Sequence, residues 1–126
     1  MEEAIVYGCR KSVVCGGCGM LEKDIAVGYL IVVSSAVRDE GVSYHYLPPG
    51  REVQAHEAGV MALTATLDRR GIPYRAGKTW TTDAPYRETP ARITACKDEG
   101  CLIVEMEFDV RKQPNCRRSN MFTLQP

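Results

Sequence analysis

The sequence has no excess of charge of either sign: sixteen Lys and Arg stand against sixteen Asp and Glu in 126 residues. A nucleic-acid-binding module ordinarily shows a basic excess, so nucleic acid is not an expected partner. Long apolar runs are also missing, and none approaches the roughly 18 residues needed to cross a bilayer. The longest, Ile25 to Val37, is interrupted by Gly28, Ser34 and Ser35, so no membrane partner is expected either. The chain starts acidic, with Glu2 and Glu3, and lacks the basic start, apolar middle and small-residue cleavage site of a secretory signal. The expectation is a soluble, cytoplasmic protein. There is no Walker loop, no H-E-x-x-H, no G-x-S-x-G, no internal repeat and no linker that would mark a second domain. What is present, 44% apolar and 25% charged residues, fits an ordinary folded domain and excludes disorder and low complexity.

Cysteine is not scarce, with residues at 9, 15, 18, 96, 101 and 116. Three bridges would suit an exported chain, but without an export signal these residues read as reduced thiols. Cys15 and Cys18 have C-x-x-C spacing, which suits zinc or a redox pair. Cys96 and Cys101 do not repeat that spacing and both histidines lie elsewhere, so no metal site is expected.

Hydrophobic patterning places the elements. Lys11 to Cys15 reads as a buried strand entering a glycine turn, Gly16-Gly17-Cys18-Gly19. Ala26 to Val37 contains Tyr29-Leu30-Ile31-Val32-Val33, the near-continuous run of a strand covered on both faces. Arg38 to Arg51 is polar and aromatic, closes on Pro48-Pro49-Gly50, and reads as a long loop of the kind that carries function. Ala55 to Arg70 has helical spacing at Val60, Leu63 and Leu67, with Met61 beside them and Gly71 placed to end it. Ile72 to Trp80 is a strand, and Thr81 to Glu88 a second polar loop. Thr89-Pro90 opens a helix running to about Asp98 before Gly100. Cys101 to Phe108 is a strand whose apolar start turns acidic. Strands alternating with helices imply an α/β domain with a mainly parallel or mixed sheet.

Two features carry candidate chemistry. The glycine turn after a strand suits an anion approached by backbone N–H groups, although such turns are common. Glu105 and Glu107, two apart on the last strand, are expected on one face. Burying both is costly, so they form either a solvated strand end or a shared site accepting hydrogen bonds from hydroxyl groups.

Gly16 to Leu21 (GGCGML), Val27 to Glu40 ending in SSAVRDE, Gly41 to Pro49 (GVSYHYLPP), Gly77 to Pro90 (GKTWTTDAPYRETP) and Gly100 to Glu107 (GCLIVEME) together resemble the nucleoside phosphorylase family, most closely its uridine phosphorylase-like branch. The resemblance runs from about residue 4 to residue 107. It implies a three-layer α/β/α sandwich, here incomplete, with residues 1–107 forming a partial domain. It implies transfer of a pentose from a nucleoside base to phosphate, with phosphate as co-substrate, no cofactor, and a homo-oligomer. In that chemistry the glycosidic bond breaks toward an oxocarbenium-like state. Glu107 matches the carboxylate on the ribose hydroxyls and Met106 the residue packed on the sugar, with Glu105 flanking them. Gly16, Gly17, Cys18 and Gly19 match the turn that contacts phosphate and ribose. Thr81, Thr82 and Asp83 match the segment that approaches the base, with Pro85 where a stacking Phe usually stands. His45 matches a loop histidine of the uridine branch, for which a structural role is expected.

The departures are as specific. The family's members are longer, and the resemblance covers only their middle. Their upstream phosphate arginine has no counterpart here. The arginine expected two residues before Gly16 is Val14, and the hydroxyl residue expected after Gly16 is Gly17. Arg10, Lys11 and Arg38 are the cations available to substitute. Thr89 and Ala91 stand near the positions of the Gln and Arg that read uracil. After Glu107 the family continues into a small-residue helix, whereas residues 108–126 form a divergent basic tail with two prolines, expected to be poorly ordered or peripheral. A transition state deprived of one strong phosphate-binding group is destabilised by about 2–4 kcal/mol. The expectation is therefore a phosphorylase by family with little rate of its own. The alternative is a non-catalytic nucleoside-binding or oligomer-forming remnant, and a Cys15–Cys18 zinc or redox protein ranks last.

Overall fold

β-Branched residues gather in the segments that become strands, and glycine or proline marks where each begins and ends. The computed structural model describes residues 6–9, 11–108 and 120–125. Its elements are β1 (Lys11–Cys15), β2 (Gly19–Met20), β3 (Leu30–Asp39), a 3₁₀ turn η1 (Val42–His45), β4 (Glu52–Gln54), α1 (Glu57–Arg69), β5 (Tyr74–Thr82), a second 3₁₀ turn η2 (Pro85–Arg87), α2 (Pro90–Asp98), β6 (Cys101–Glu105) and β7 (Asn120–Gln125). β3 begins later than the apolar run because Gly28, at φ +82°, turns the chain first. β5 begins at Tyr74 because Pro73 has no N–H to give a ladder. The expected loop over 38–51 is shorter, since β3 continues through Asp39 and η1 occupies part of the remainder.

The sheet order is β1-β7-β3-β5-β6-β2, with β4 beside β3. Its centre, β3-β5-β6, is parallel, as is β1 with β7. β2 on β6, and β4 and β7 on β3, are antiparallel. The α/β expectation holds, with a mixed sheet. α1 packs on β3 and β7, and α2 on β6. No described helix is long and apolar enough to cross a membrane.

Two irregularities flank β5 and reset which face each neighbour presents. Register with β5 slips between Val33 and Ser35 in β3, and between Lys78 and Thr79 opposite β6. Because side chains alternate, one extra residue shifts the phase. Ile31, Val33 and Ala36 thus share one apolar cluster with Ile25, Val53, Ile103 and Phe108. Val37 joins Leu21, Trp80, Cys96, Cys101 and Val104 in another. Ser34 and Leu102 are the extra residues. The Ser34 carbonyl accepts from Ala55 N at 2.8 Å, and that of Leu102 from Leu21 N at 2.9 Å.

The helix ends follow the sequence closely. Gly71, at φ +63°, lets the chain leave α1 while Ile72 N donates to Leu67 O at 3.0 Å. Pro90 opens α2, but the Thr89 hydroxyl makes no capping hydrogen bond, so proline's fixed φ carries that start. Fully buried Trp80 donates its indole N–H to Asp39 Oδ2 at 2.9 Å, and Arg92 donates to Asp39 Oδ1 at 2.6 Å, which ties α2 to β3 and β5.

The expectation of a peripheral tail over 108–126 needs correction at both ends. Phe108 is buried in the core, at 6% exposure, and Asn120–Gln125 is a strand between β1 and β3. The basic residues obscured a short run, Met121-Phe122-Thr123-Leu124, with strand composition. Residues 109–119 and Pro126 lie outside the described residues.

Gly77 allows Leu102 to lie over β5. A Cβ there would stand 2.9 Å from Leu102 Cγ and closer still to Cδ1. Gly77→Ala is expected to destabilise the fold by about 1–3 kcal/mol in urea unfolding. Leu102→Ala should recover part of that loss, so strictly additive costs would show that this contact is not the reason.

Candidate functional site

The site forms where β6 stops. In a parallel sheet the carboxyl ends of the strands open toward ligand, and β6 reaches that end with a carboxylate that turns inward. Glu105 is 4% exposed. Its Oε2 accepts from Glu107 N at 2.7 Å and Phe108 N at 2.6 Å, and its Oε1 accepts from the Thr79 hydroxyl at 3.1 Å. Two backbone donors that would have continued the strand are consumed by this side chain. The chain therefore bends after Glu105, leaving Met106 and Glu107 exposed and returning Phe108 to the core. Glu105 and Glu107 do not share a strand face, because the strand has ended.

A pocket of about 240 Å³ lies over this bend, lined by Gly17, Cys18, Gly19, Glu88, Val104, Glu105, Met106 and Glu107. β2 brings the glycine turn there by pairing Gly19 with Val104. The approach is close, since a Cβ on Gly19 would stand 2.9 Å from Val104 Cγ1. Glu107 Oε2 accepts from Met106 N at 3.2 Å, which leaves Oε1 open to a ligand among the described residues. Among the described residues every charged member of the lining is acidic, and Lys, Arg and His are absent from it.

Burial pushes the Glu105 carboxyl above its ordinary value, against the opposing pull of its backbone and hydroxyl donors. Burial, then Glu105 and Glu107, raise the Cys18 thiol. That is the reverse of what a thiolate ligand or redox nucleophile requires. Cys15 and Cys18 are not joined in a disulfide.

Six of the residues expected at a site meet here: Gly17, Cys18, Gly19, Glu105, Met106 and Glu107. Gly16, Thr81, Thr82 and Asp83 are not in the lining. Thr81 and Thr82 are buried, and the Thr82 hydroxyl accepts from Ala84 N. Asp83 Oδ2 accepts from Gly41 N at 3.0 Å, which ties this loop to the one after β3. Arg38 does not reach the pocket. Its guanidinium is buried, donates to Ser43 Oγ and Pro48 O at 2.8 Å each, and lies 4.2 Å from the Tyr44 ring centroid. It holds the loop after β3 in shape. Arg10 and the Lys11 side chain lie outside the described residues. Glu88 and Val104 were not expected at the site. Glu88 had one legible signal, its place in the polar loop beyond the carboxyl end of a parallel strand.

A pocket at the carboxyl end of a parallel strand, with a glycine turn on one side and a bent acidic strand end on the other, is the arrangement of an α/β domain that binds a small polar ligand. A family model described as the phosphorylase superfamily matches residues 1–108, and the chain belongs to that superfamily. It is 31% identical over 104 residues to a DeoD-type purine nucleoside phosphorylase of Bacillus cytotoxicus, covering 80% of this chain and 43% of that protein. The fold superposes on uridine phosphorylase from Vibrio fischeri with a TM-score of 0.83 at 23% identity, covering 98% of this chain and 53% of the other. It superposes on a P. knowlesi homologue of P. falciparum PNP with a TM-score of 0.84 at 20% identity, covering 98% and 53%. The chain thus spans about half the length of these proteins, and the nucleoside phosphorylase resemblance and fold class hold.

The raised Glu105 carboxyl fixes the sign of a pH effect. The folded state holds this proton more tightly than the unfolded chain, so the contribution is full below the ordinary value of 4.5 and is lost as pH rises through the higher folded value. Glu105→Gln, a neutral isostere, lacks that loss. Urea unfolding from pH 4 upward should show the wild type losing stability relative to Glu105→Gln; parallel pH profiles would refute the assignment.

Proposed function

We propose that this domain binds a nucleoside in the pocket at the end of β6 and supports its phosphorolysis to a free base and a pentose 1-phosphate. The observation that carries the reading is the bend at Glu105. It presents Glu107 with an open carboxylate oxygen beside Met106, opposite the glycine turn. A carboxylate only accepts hydrogen bonds, so its complement is a pair of hydroxyls such as those of a ribose. In the reaction the bond from C1′ to the base nitrogen breaks as a bond from C1′ to a phosphate oxygen forms, and the base leaves with the bonding pair and takes a proton. Negative charge beside the sugar stabilises the positive charge that develops on the ring. Membership of the phosphorylase superfamily and the curated relative's name support this choice of reaction. The site needs no cofactor, since phosphate is the second substrate.

A second reading is favoured by one observation. Among the described residues the pocket lining contains carboxylates and no cation, which disfavours a phosphate dianion at that place. On that reading the domain holds a nucleoside without turning it over. Self-association into a homo-oligomer, and a cytoplasmic site of action, complete the proposal under either reading.

The test is release of free base from uridine and inosine, with and without phosphate. Phosphorolysis predicts phosphate-dependent release that falls about 100-fold or more in Glu107→Ala. Binding of nucleoside without release supports the second reading, and neither binding nor release refutes both.

A further inference from the structure

We propose that Thr79 is a positioning residue of the pocket: its hydroxyl holds the Glu105 carboxyl in both protonation states and so keeps the bend that presents Glu107 to a ligand. The inference rests on the nucleoside reading for the identity of that ligand. Thr79 lies on β5, fully buried and outside the lining. Its place is set by the slip between β5 and β6. Before the slip Lys78 is the partner of Cys101, and after it Thr79 is the partner of Ile103. Without the extra residue Thr79 would oppose Leu102, on the other face of β6. Opposite Ile103 it shares the face of Glu105, two residues further on.

Glu105 Oε2 already accepts from two backbone N–H groups, that of Glu107 at 2.7 Å and that of Phe108 at 2.6 Å. A proton taken up by this carboxyl therefore goes to Oε1, whose donor among the described residues is the Thr79 hydroxyl at 3.1 Å. That hydroxyl has a second acceptor in reach, the carbonyl of Ile103 at 3.4 Å. It carries one proton and donates to one of the two, while its oxygen can itself accept. With Glu105 ionised, Thr79 donates to Oε1. With Glu105 protonated, Oε1 donates to the Thr79 oxygen, and the Thr79 proton turns to the Ile103 carbonyl. Neither state orphans a buried group at Oε1, and neither disturbs the two backbone bonds at Oε2. The titratable groups lining the pocket with Glu105 are Glu107 just beyond the strand, Cys18 on the glycine turn and Glu88 before α2. On β5, Lys78 is engaged by Glu52 and the Glu99 carbonyl. Burial first, and then the Glu107 charge, move the Glu105 titration to higher pH against the pull of its three donors.

The test is a carboxyl carbon-13 NMR titration of Glu105, with calorimetric binding of uridine and inosine across the same pH range, in the full chain. Thr79→Ser keeps the hydroxyl and Thr79→Val replaces it by a methyl group. Thr79→Ala takes the place of valine if that variant lacks native circular dichroism. Without the hydroxyl an ionised Oε1 is buried with no donor. The Glu105 midpoint should therefore rise by about one pH unit or more in Thr79→Val and stay in place in Thr79→Ser. Nucleoside affinity in Thr79→Val should fall by a factor that grows with pH, to about tenfold above the midpoint, while Thr79→Ser follows the wild type. An unchanged midpoint, or a loss of affinity that is the same at every pH, overturns the proposal. A raised midpoint in a protein whose wild type binds neither nucleoside refutes the nucleoside reading and keeps Thr79 as the partner of Glu105.

Discussion

The buried carboxylate of Glu105 is the contact on which the site depends. One side chain gathers two consecutive backbone N–H groups and a hydroxyl from the neighbouring strand. Burying a carboxyl is costly, and three donors offset that cost only where they converge. The result is a strand that stops at a defined residue, a core residue supplied by the chain immediately after it, and two side chains set between these points against the pocket. The location of the pocket and the exposure of Glu107 both follow from that local exchange of backbone partners for a side-chain partner.

The acids of the pocket leave a phosphate without a described cationic partner at that place. Arg38, the described cation that the sequence offered as a substitute, is committed to the loop after β3 through a hydroxyl, a carbonyl and a tyrosine ring. Moving it would leave those acceptors and the ring without their partner, so it is held in a structural role. Lys78 is similarly occupied, between Glu52 at 2.5 Å and the carbonyl of Glu99 at 3.0 Å. Among the described residues no cation lines the pocket, and the glycine turn there sits against carboxylates.

Much of the fold was legible. β1 and α2 fall where the β-branched run and the Thr89-Pro90 start placed them, because local propensity and the sheet agree there. The end of β6 was misplaced since nothing in a C-L-I-V-E-M-E-F string reveals that a carboxylate will compete for the N–H groups of Glu107 and Phe108. β7 was missed because its short apolar run is preceded by basic residues that dominate the composition. At the site, the residues carried by the glycine turn and the E-M-E segment were legible from their chemistry. Thr81, Thr82 and Asp83 stand outside the lining of this pocket: β5 buries the threonines, and Asp83 accepts from the Gly41 backbone. Glu88 was overlooked because a lone glutamate in a loop carries no pattern, and only the fold brings it to the far wall.

The pairing of β1 with β7 bears on the order in which the molecule assembles. Lys11 and Asn120 are register partners although more than a hundred residues separate them, whereas β3, β5 and β6 join through much nearer neighbours. Contacts so distant along the chain are slow to close. The acidic wall can therefore form while the far anchor of the glycine turn is still free, with β2 on β6 holding only its near end. A small molecule that bridges the two walls would bind the finished arrangement in preference to the half-closed one and draw the last strand into place by mass action.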